Sequence, residues 1–403
     1  MPITDFRIRN YRSVRDVWLK LRKINVIVGP NGSGKSNLYR AMYLVASAAT
    51  GQLAQCIAEE GGVSSASWAG ELNKKEIKKR IQDINLSVQT EVFRYDLKFG
   101  TAGDVIKPGF FEKDLDIKRE KIYLLKGRQK KTLLDRGKAL VAAWDSEGRR
   151  LDYTKTIIRN ESVLTGLRDP HRFTDLSKLR QELLDWRFYH HFRTDPDSLL
   201  RKPQLTILTP IMSHDGIDFV AALATIKETS VDEGAELQSR IAEAFPGSRI
   251  AFLEDNGRLK LRMHSPEFFR PLELPELSDG TIQYLCLLAA LMSQMPPAVL
   301  ALNEPETSIH PRLLEPLAKL ILRASKESQI WITTHSQDLS DYILDMSGYE
   351  PLELKKVDGE TRLVGVGLGG YKEEEDDAED QADDEAEDEA QDEDVEETGQ
   401  RVP

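Results

Sequence analysis

Three short apolar runs stand out along the chain: Ile24 to Val28, Ala298 to Leu302 and Ile330 to Thr333. Each is nearly continuous and ends in a cluster of polar or glycine residues. This pattern predicts strands buried on both faces, as in a parallel sheet with helices on each side. In such open α/β sheets ligands bind beyond the strand ends. Between the first run and the other two, Leu86 to Phe99 and Lys121 to Trp144 show partial alternation. That predicts antiparallel strands, with turns near Gly100 to Asp104 and Asp145 to Gly148. Helical spacing of apolar residues covers Leu176 to Leu184, Phe219 to Ile226 and Ala235 to Phe245, where Pro246 and Gly247 stop the last helix. No heptad pattern runs over several turns and no repeat is evident, so the middle of the chain reads as a compact insertion and not a coiled-coil arm.

Composition changes this picture in one place. The 403 residues carry a net charge of -12, but residues 371–403 hold 18 acidic and 2 basic residues. The tail's -16 leaves +4 for residues 1–370 out of that total. The chain is therefore a mildly basic body with an acidic tail. Residues 373–397, almost all Asp, Glu, Ala and Gln, have nothing apolar to offset ordering entropy and are expected to be disordered. The tail serves solubility, or else mimics nucleic acid and competes for the protein's own basic surface. The longest apolar run, Tyr284 to Met292, is far short of the roughly 20 residues that span a bilayer. The N-terminus has no apolar signal core. Cys56 and Cys286 are the only cysteines, which excludes a disulfide scaffold and a four-cysteine zinc site. A cytoplasmic protein without membrane contact is expected.

Residues Gly29 to Ser36 read GPNGSGKS and satisfy GxxxxGK[ST] in full, between the first apolar run and an apolar-rich helix, Ser36 to Ala48. The glycines in such a loop let backbone N–H groups point at phosphate oxygens, and the helix N-terminus adds partial positive charge. Asn31, Gly32, Ser33, Gly34 and Asn37 belong to this cradle. Lys35 supplies a point charge to the β- and γ-phosphates, and the Ser36 hydroxyl is placed to ligate Mg²⁺. ATP and Mg²⁺ are the implied ligands.

Further on, Leu277 to Thr281 reads LSDGT and opens an apolar helix that runs to about Gln294. This resembles the LSGGQ signature of ABC-type ATPases, in which the signature Ser and Gly contact the γ-phosphate bound by the other subunit. Ser278, Asp279 and Gly280 are the residues so implied. Asp279 stands where the first glycine is usual. A carboxylate near a triphosphate is unfavourable, so its side chain is expected to face outward or to meet a basic residue across the interface. Ala298 to Glu306, AVLALNEPE, has the form of a Walker B strand. Glu304 takes the place of the carboxylate that orients the attacking water. Asn303 replaces the usual metal-supporting Asp; its amide holds the metal only through a water and brings no charge. Slow hydrolysis is the expected result. Pro305 to Pro311 resembles the D-loop of the same superfamily, and His335, at the end of IWITTHS, its switch histidine.

The opening segment, Ile3 to Asp16, reads as one strand. It resembles the start of RecF, SMC and OLD (overcoming-lysogenization-defect) ATPases, which implies that Arg12 approaches the nucleotide; the alternative is a surface charge. With EPETSIHP and TTHS, roughly residues 1–370 resemble stand-alone RecF-like ATPases of bacteria. The resemblance implies an α/β P-loop NTPase of ABC-ATPase head type, with a mixed central sheet, an antiparallel β subdomain and a helical insertion. The expected divisions are a first lobe at 1–160, the insertion at 161–250, a second lobe at 251–370 and the tail at 371–403. It also implies a head-to-tail homodimer or higher oligomer around ATP, acting as a switch in DNA repair or anti-phage defence. Gln89 is a candidate for the superfamily's Gln loop. Only about 35 residues separate His335 from the acidic run, too few for the nuclease domain of OLD proteins, so any nuclease or toxin effector is a separate polypeptide. Lys74, Lys75, Lys78, Lys79 and Arg80 on one face of a short helix, and Arg128, Lys130 and Lys131, are candidate DNA contacts or solvated faces. A scaffold that binds ATP, scarcely hydrolyses it and holds an effector is the alternative.

Overall fold

The computed structural model describes residues 1–71, 83–101, 114–127, 129–137, 140–153 and 158–365. The helix expected to carry Lys74 to Arg80, Arg128 and the acidic run lie outside them. Strands β1 (Ile3–Tyr11) and β2 (Val14–Lys20) form an antiparallel hairpin. The single strand expected over Ile3 to Asp16 is thus two. The chain reverses where Asn10 and Arg12 take left-handed φ values of 57° and 50°, a conformation that ends regular pairing. Strand β3 (Ile24–Val28) follows, then β4 (Ile84–Thr90), β5 (Phe93–Thr101), β6 (Leu115–Lys126), β7 (Gln129–Arg136), β8 (Val141–Trp144) and β9 (Arg150–Tyr153). All of these except β3 build one eight-stranded antiparallel sheet in the order β2-β1-β4-β5-β6-β7-β8-β9. The expected turn after Trp144 is present, whereas Gly100 still belongs to β5.

The next strand, β10 (Arg187–Tyr189), belongs to a different sheet. Strands β11 (Gln204–Leu205), β12 (Arg249–Asp255), β13 (Arg258–His264) and β14 (Leu272–Glu273) make a small antiparallel sheet. Strands β15 (Val299–Asn303), β16 (Gln329–Thr333), β17 (Leu352–Val357) and β18 (Glu360–Leu363) complete the central sheet, ordered β10-β15-β16-β3-β17-β18. From β10 to β17 its neighbours are parallel, and β18 pairs back antiparallel on β17.

The main helices are α1 (Lys35–Thr50), α2 (Leu53–Glu59), α3 (Thr174–Asp185), α4 (Phe219–Thr229), α5 (Val231–Ala244), α6 (Asp279–Leu291), α7 (Leu314–Ala324) and α8 (Gln337–Ser347). Side chains in a strand alternate between faces, and here the alternation feeds two cores. Ile27, Val299, Ala301 and Trp331 join α1, α3 and the inner face of the antiparallel sheet. Ile24, Val26, Leu300, Leu302, Ile330 and Ile332 join α4 to α8. The apolar runs are continuous because both faces of the central sheet are covered. Buried amides tie its entry ends together. Gln329 accepts from the Ile3 N–H at 2.7 Å and donates to the Ile3 and Arg22 carbonyls. Asn25 donates to the Arg22 and Ile330 carbonyls and accepts from the Arg22 N–H. Asn25, the polar residue within the Ile24 to Val28 run, and Gln329, at the start of β16, are therefore structural.

Candidate functional site

The loop Gly29 to Ser36 leaves β3 and turns into α1. Lys35 is buried, and its ammonium donates to the Gly29 carbonyl at 2.7 Å and the Pro30 carbonyl at 3.2 Å. Helix α1 has no side-chain cap and no acidic residue in its first turn. Its first N–H groups and dipole are therefore free to favour an anion. The Ser33 hydroxyl is buried without a hydrogen-bond partner, a state that costs free energy until a polar ligand meets it. Asn31, Gly32 and Ser36 are exposed along the loop. This donor set fits a polyphosphate: Lys35 and the loop N–H groups would hold it, with the Ser36 hydroxyl beside a bound Mg²⁺. Among the described residues no group of three His, Cys, Asp or Glu gathers to hold a metal by itself. That suits a cation held mainly through phosphates and water.

Because β10, β15, β16 and β3 are parallel neighbours, the segments after them emerge at one edge of the sheet. They bring His190, Glu304, His335 and Gly29 into line. Asn303 accepts a hydrogen bond from the Thr333 hydroxyl at 2.8 Å. Glu304 has a left-handed φ of 48°, and its N–H donates to the Thr333 carbonyl. The His335 Nδ1 lies 3.9 Å from Glu304 Oε2 and 3.3 Å from Glu306 Oε1. Glu306 is buried; one oxygen accepts from the Thr334 hydroxyl at 2.6 Å and from the His335 and Ser336 N–H groups. It thereby fixes the loop that carries His335. Sequence reading passed over Glu306, although the EPE spacing puts a second carboxylate on the same turn.

His190 was likewise missed. The β10–β15 register pairs Tyr189 with Leu302, so His190 and Asn303 leave the sheet side by side. Its ring stacks on Tyr39 of α1, with centroids 5.6 Å apart and planes at 30°. Burial pushes its pKa down, the Arg40 and His191 charges push the same way, and Glu304 opposes them. Gln89, by contrast, sits in β4 opposite Asp5 and Arg94, inside the antiparallel sheet.

The signature segment caps α6. The Ser278 hydroxyl accepts from the Thr281 N–H at 3.3 Å and shares a 2.8 Å bond with the Thr281 hydroxyl. Asp279 faces solvent and meets a cation of its own chain: Arg201 Nη2 is 2.6 Å from its Oδ1. A Cβ at Gly280 would fall 2.5 Å from the Ser308 carbonyl oxygen, so the D-loop backbone lies directly against the helix start. Arg12 pairs with Glu60 at 2.9 Å, and Arg40 and the Tyr11 hydroxyl bond the same carboxylate.

The P-loop sequence on a parallel sheet, with Glu304 and His335 at neighbouring strand ends and a separate helix starting at Ser278, gives the fold of an ABC-type ATPase head. Residues 24–341 match the family described as "AAA domain, putative AbiEii toxin, Type IV TA system", and the chain belongs to that family. Among solved structures it is similar to an SMC head bound to the C-winged helix domain of ScpA, at 15% identity, TM-score 0.50, and 91% and 99% coverage of the two chains. It is also similar to the SMC head domain from Thermotoga maritima, at 16% identity, TM-score 0.40, and 91% and 100% coverage. A third similar structure is an Smc head domain with an extended coiled coil, bound to the C-terminal domain of ScpA derived from Pyrococcus furiosus, at 14% identity, TM-score 0.48, and 91% and 96% coverage. No curated protein matches the chain. Among the described residues no helix is long and apolar enough to cross a membrane.

Proposed function

We propose that this chain binds ATP with Mg²⁺, hydrolyses it slowly and uses the cycle as a switch between single and paired heads. The orphaned Ser33 hydroxyl in an uncapped P-loop, set on the same sheet edge as Glu304 and His335, carries this reading. Lys35 and the loop N–H groups hold the phosphates, while Mg²⁺, when bound, screens their charge. Glu304 orients water for attack on the γ-phosphoryl group. His335 reads the γ-phosphate from the end of the neighbouring strand, and His190 lines the opposite flank. Ser278 and Gly280 complete the pocket of a second copy head to tail, with Asp279 held aside by Arg201. Arg12, now on Glu60, stands one residue from the Ser13 hydroxyl that touches α1.

The switch serves a DNA-linked task, in repair or in anti-phage defence, with a nuclease or toxin as a separate partner. A second reading, an ATP-binding scaffold that restrains an effector, is favoured by Asn303, which brings no charge to the metal. Phosphate release with and without DNA, and light scattering of Glu304→Gln saturated with ATP, test both. Measurable turnover abolished in Glu304→Gln, with that variant trapped as a dimer, is expected. A Glu304→Gln protein that stays monomeric in saturating ATP would refute the paired-head mechanism. Absence of turnover in the wild type, with nucleotide still bound, would leave the scaffold.

A further inference from the structure

The hairpin of β17 and β18 lies beyond the family match, which ends at residue 341, yet it touches the nucleotide loop. Thr361 of β18 is completely buried, and its hydroxyl donates to the Ser33 carbonyl at 2.8 Å. The same oxygen lies 2.8 Å from the Ser13 hydroxyl. Asn37 Nδ2, in the first turns of α1, donates to Ser13 at 2.8 Å. A hydroxyl has one proton. Thr361 spends its proton on Ser33, so Ser13 donates to Thr361, and the bonds run one way: Asn37 to Ser13 to Thr361 to the Ser33 carbonyl. The Ser13 carbonyl also accepts from the Thr361 N–H at 2.8 Å. Three segments far apart in sequence, at Ser13, Ser33 to Asn37 and Thr361, thus close on one peptide of the P-loop, and such chains strengthen each member bond.

That peptide joins Ser33 to Gly34. It is planar and trans, so its carbonyl and N–H point in opposite directions. With the carbonyl held by Thr361, the Gly34 N–H faces away from Thr361. Gly34 has φ of 106°, and a Cβ there would fall 2.1 Å from the Thr361 hydroxyl. The last loop glycine is thus required by Thr361 as well as by its own φ.

Resting on the nucleotide-binding reading above, we propose that Thr361 is a positioning residue of the nucleotide site. It presets the Ser33–Gly34 peptide so that its N–H meets phosphate, and Ser13 is its relay. The full-length chain and its Thr361→Val, Thr361→Ser and Lys35→Ala variants are titrated with ATP, with unfolding temperature and amide exchange of residues 29–36 measured without nucleotide. Expected are an ATP Kd raised about tenfold in Thr361→Val, which is about 1.4 kcal/mol, faster exchange in the loop, an unfolding temperature near wild type, and recovery in Thr361→Ser. A Thr361→Val Kd within twofold of wild type, with Lys35→Ala abolishing binding, overturns the proposal alone. Equal weakening in Val and Ser with a lowered unfolding temperature also overturns it, because packing and not the hydroxyl would then be responsible. If the wild type binds no nucleotide, the function proposed above falls first and takes this proposal with it. Should Thr361→Val not fold, Ser13→Ala decides: about a threefold weaker Kd supports the relay, and an unchanged Kd overturns it.

Discussion

Arg201 and Asp279 meet at 2.6 Å although 78 residues separate them in sequence. The guanidinium is buried, and its other N–H groups donate to the carbonyls of Leu274, Pro275 and Leu277 and, through Nε, to Thr194. One side chain therefore shapes the whole approach to the signature helix and also holds aside the carboxylate that a triphosphate would repel. The Asp279 side chain faces outward, one of the two expectations from sequence, and no basic residue from a second subunit is needed to hold it there.

Replacing Arg201 with Met would leave several carbonyls unpaired, and each buried orphan costs about 1–3 kcal/mol. The expected loss is on the order of 3 kcal/mol in chemical denaturation. ATP affinity, set by the Lys35 loop, should hold, while phosphate release and ATP-dependent pairing disappear. A folded Arg201→Met protein with wild-type turnover would show that the signature segment is shaped by something else.

Gly280 is constrained by backbone and not by a flexible side chain, because Ser308, at φ of 65°, turns its carbonyl onto the helix start. A methyl group there must push the D-loop away from α6. Gly280→Ala should destabilise the protein by about 1–3 kcal/mol, as overpacking does, and should slow turnover more than Ser278→Ala. Retention of wild-type stability would mean that the D-loop yields freely at this contact.

How far these relationships could be read from sequence follows from their range. The strands Ile24 to Val28 and Ile330 to Thr333, the P-loop and α6 are written in local pattern, and the structure has them where the pattern puts them. The β1–β2 hairpin was missed because its turn lacks glycine and proline, and the reversal at Arg12 uses a non-glycine left-handed residue. Arg201, Thr361 and His190 act through partners distant in sequence or on a neighbouring strand, and no local spacing marks them. Glu306 was legible in the EPE triplet; its buried bonds to the His335 loop explain why that second carboxylate is there.

Acid stability should depend on carboxylates between α5 and α7. Glu236 is held below the usual carboxylate range chiefly by the hydrogen bond from Arg323, and Glu243 by that from Lys319. A carboxylate whose folded pKa is depressed stabilises the fold above its unfolded pKa of about 4.3. That contribution disappears as pH falls through the folded value. Both groups are partly exposed, so each pair contributes less than about 1 kcal/mol and is screened by salt. The unfolding temperature of the wild type should therefore drop more steeply below about pH 4.5 than that of the Glu236→Gln, Glu243→Gln double variant. Parallel curves through that window would remove these carboxylates from the account.

Asn303 offers the clearest control of rate. The Thr333 hydroxyl donates to its side-chain oxygen at 2.8 Å, and an Asp carboxylate accepts the same bond in the same place. Asn303→Asp thus keeps the local geometry and adds one negative charge where Walker B strands ordinarily carry it. Charge of that kind, placed beforehand next to a bound cation and phosphate, commonly changes turnover by about tenfold or more. Steady-state phosphate release should rise by about that factor in Asn303→Asp, with the unfolding temperature unchanged. The neighbouring Glu304→Gln substitution should still abolish the gain. Turnover equal to or below wild type in a stable Asn303→Asp protein would mean that the amide does not limit the rate.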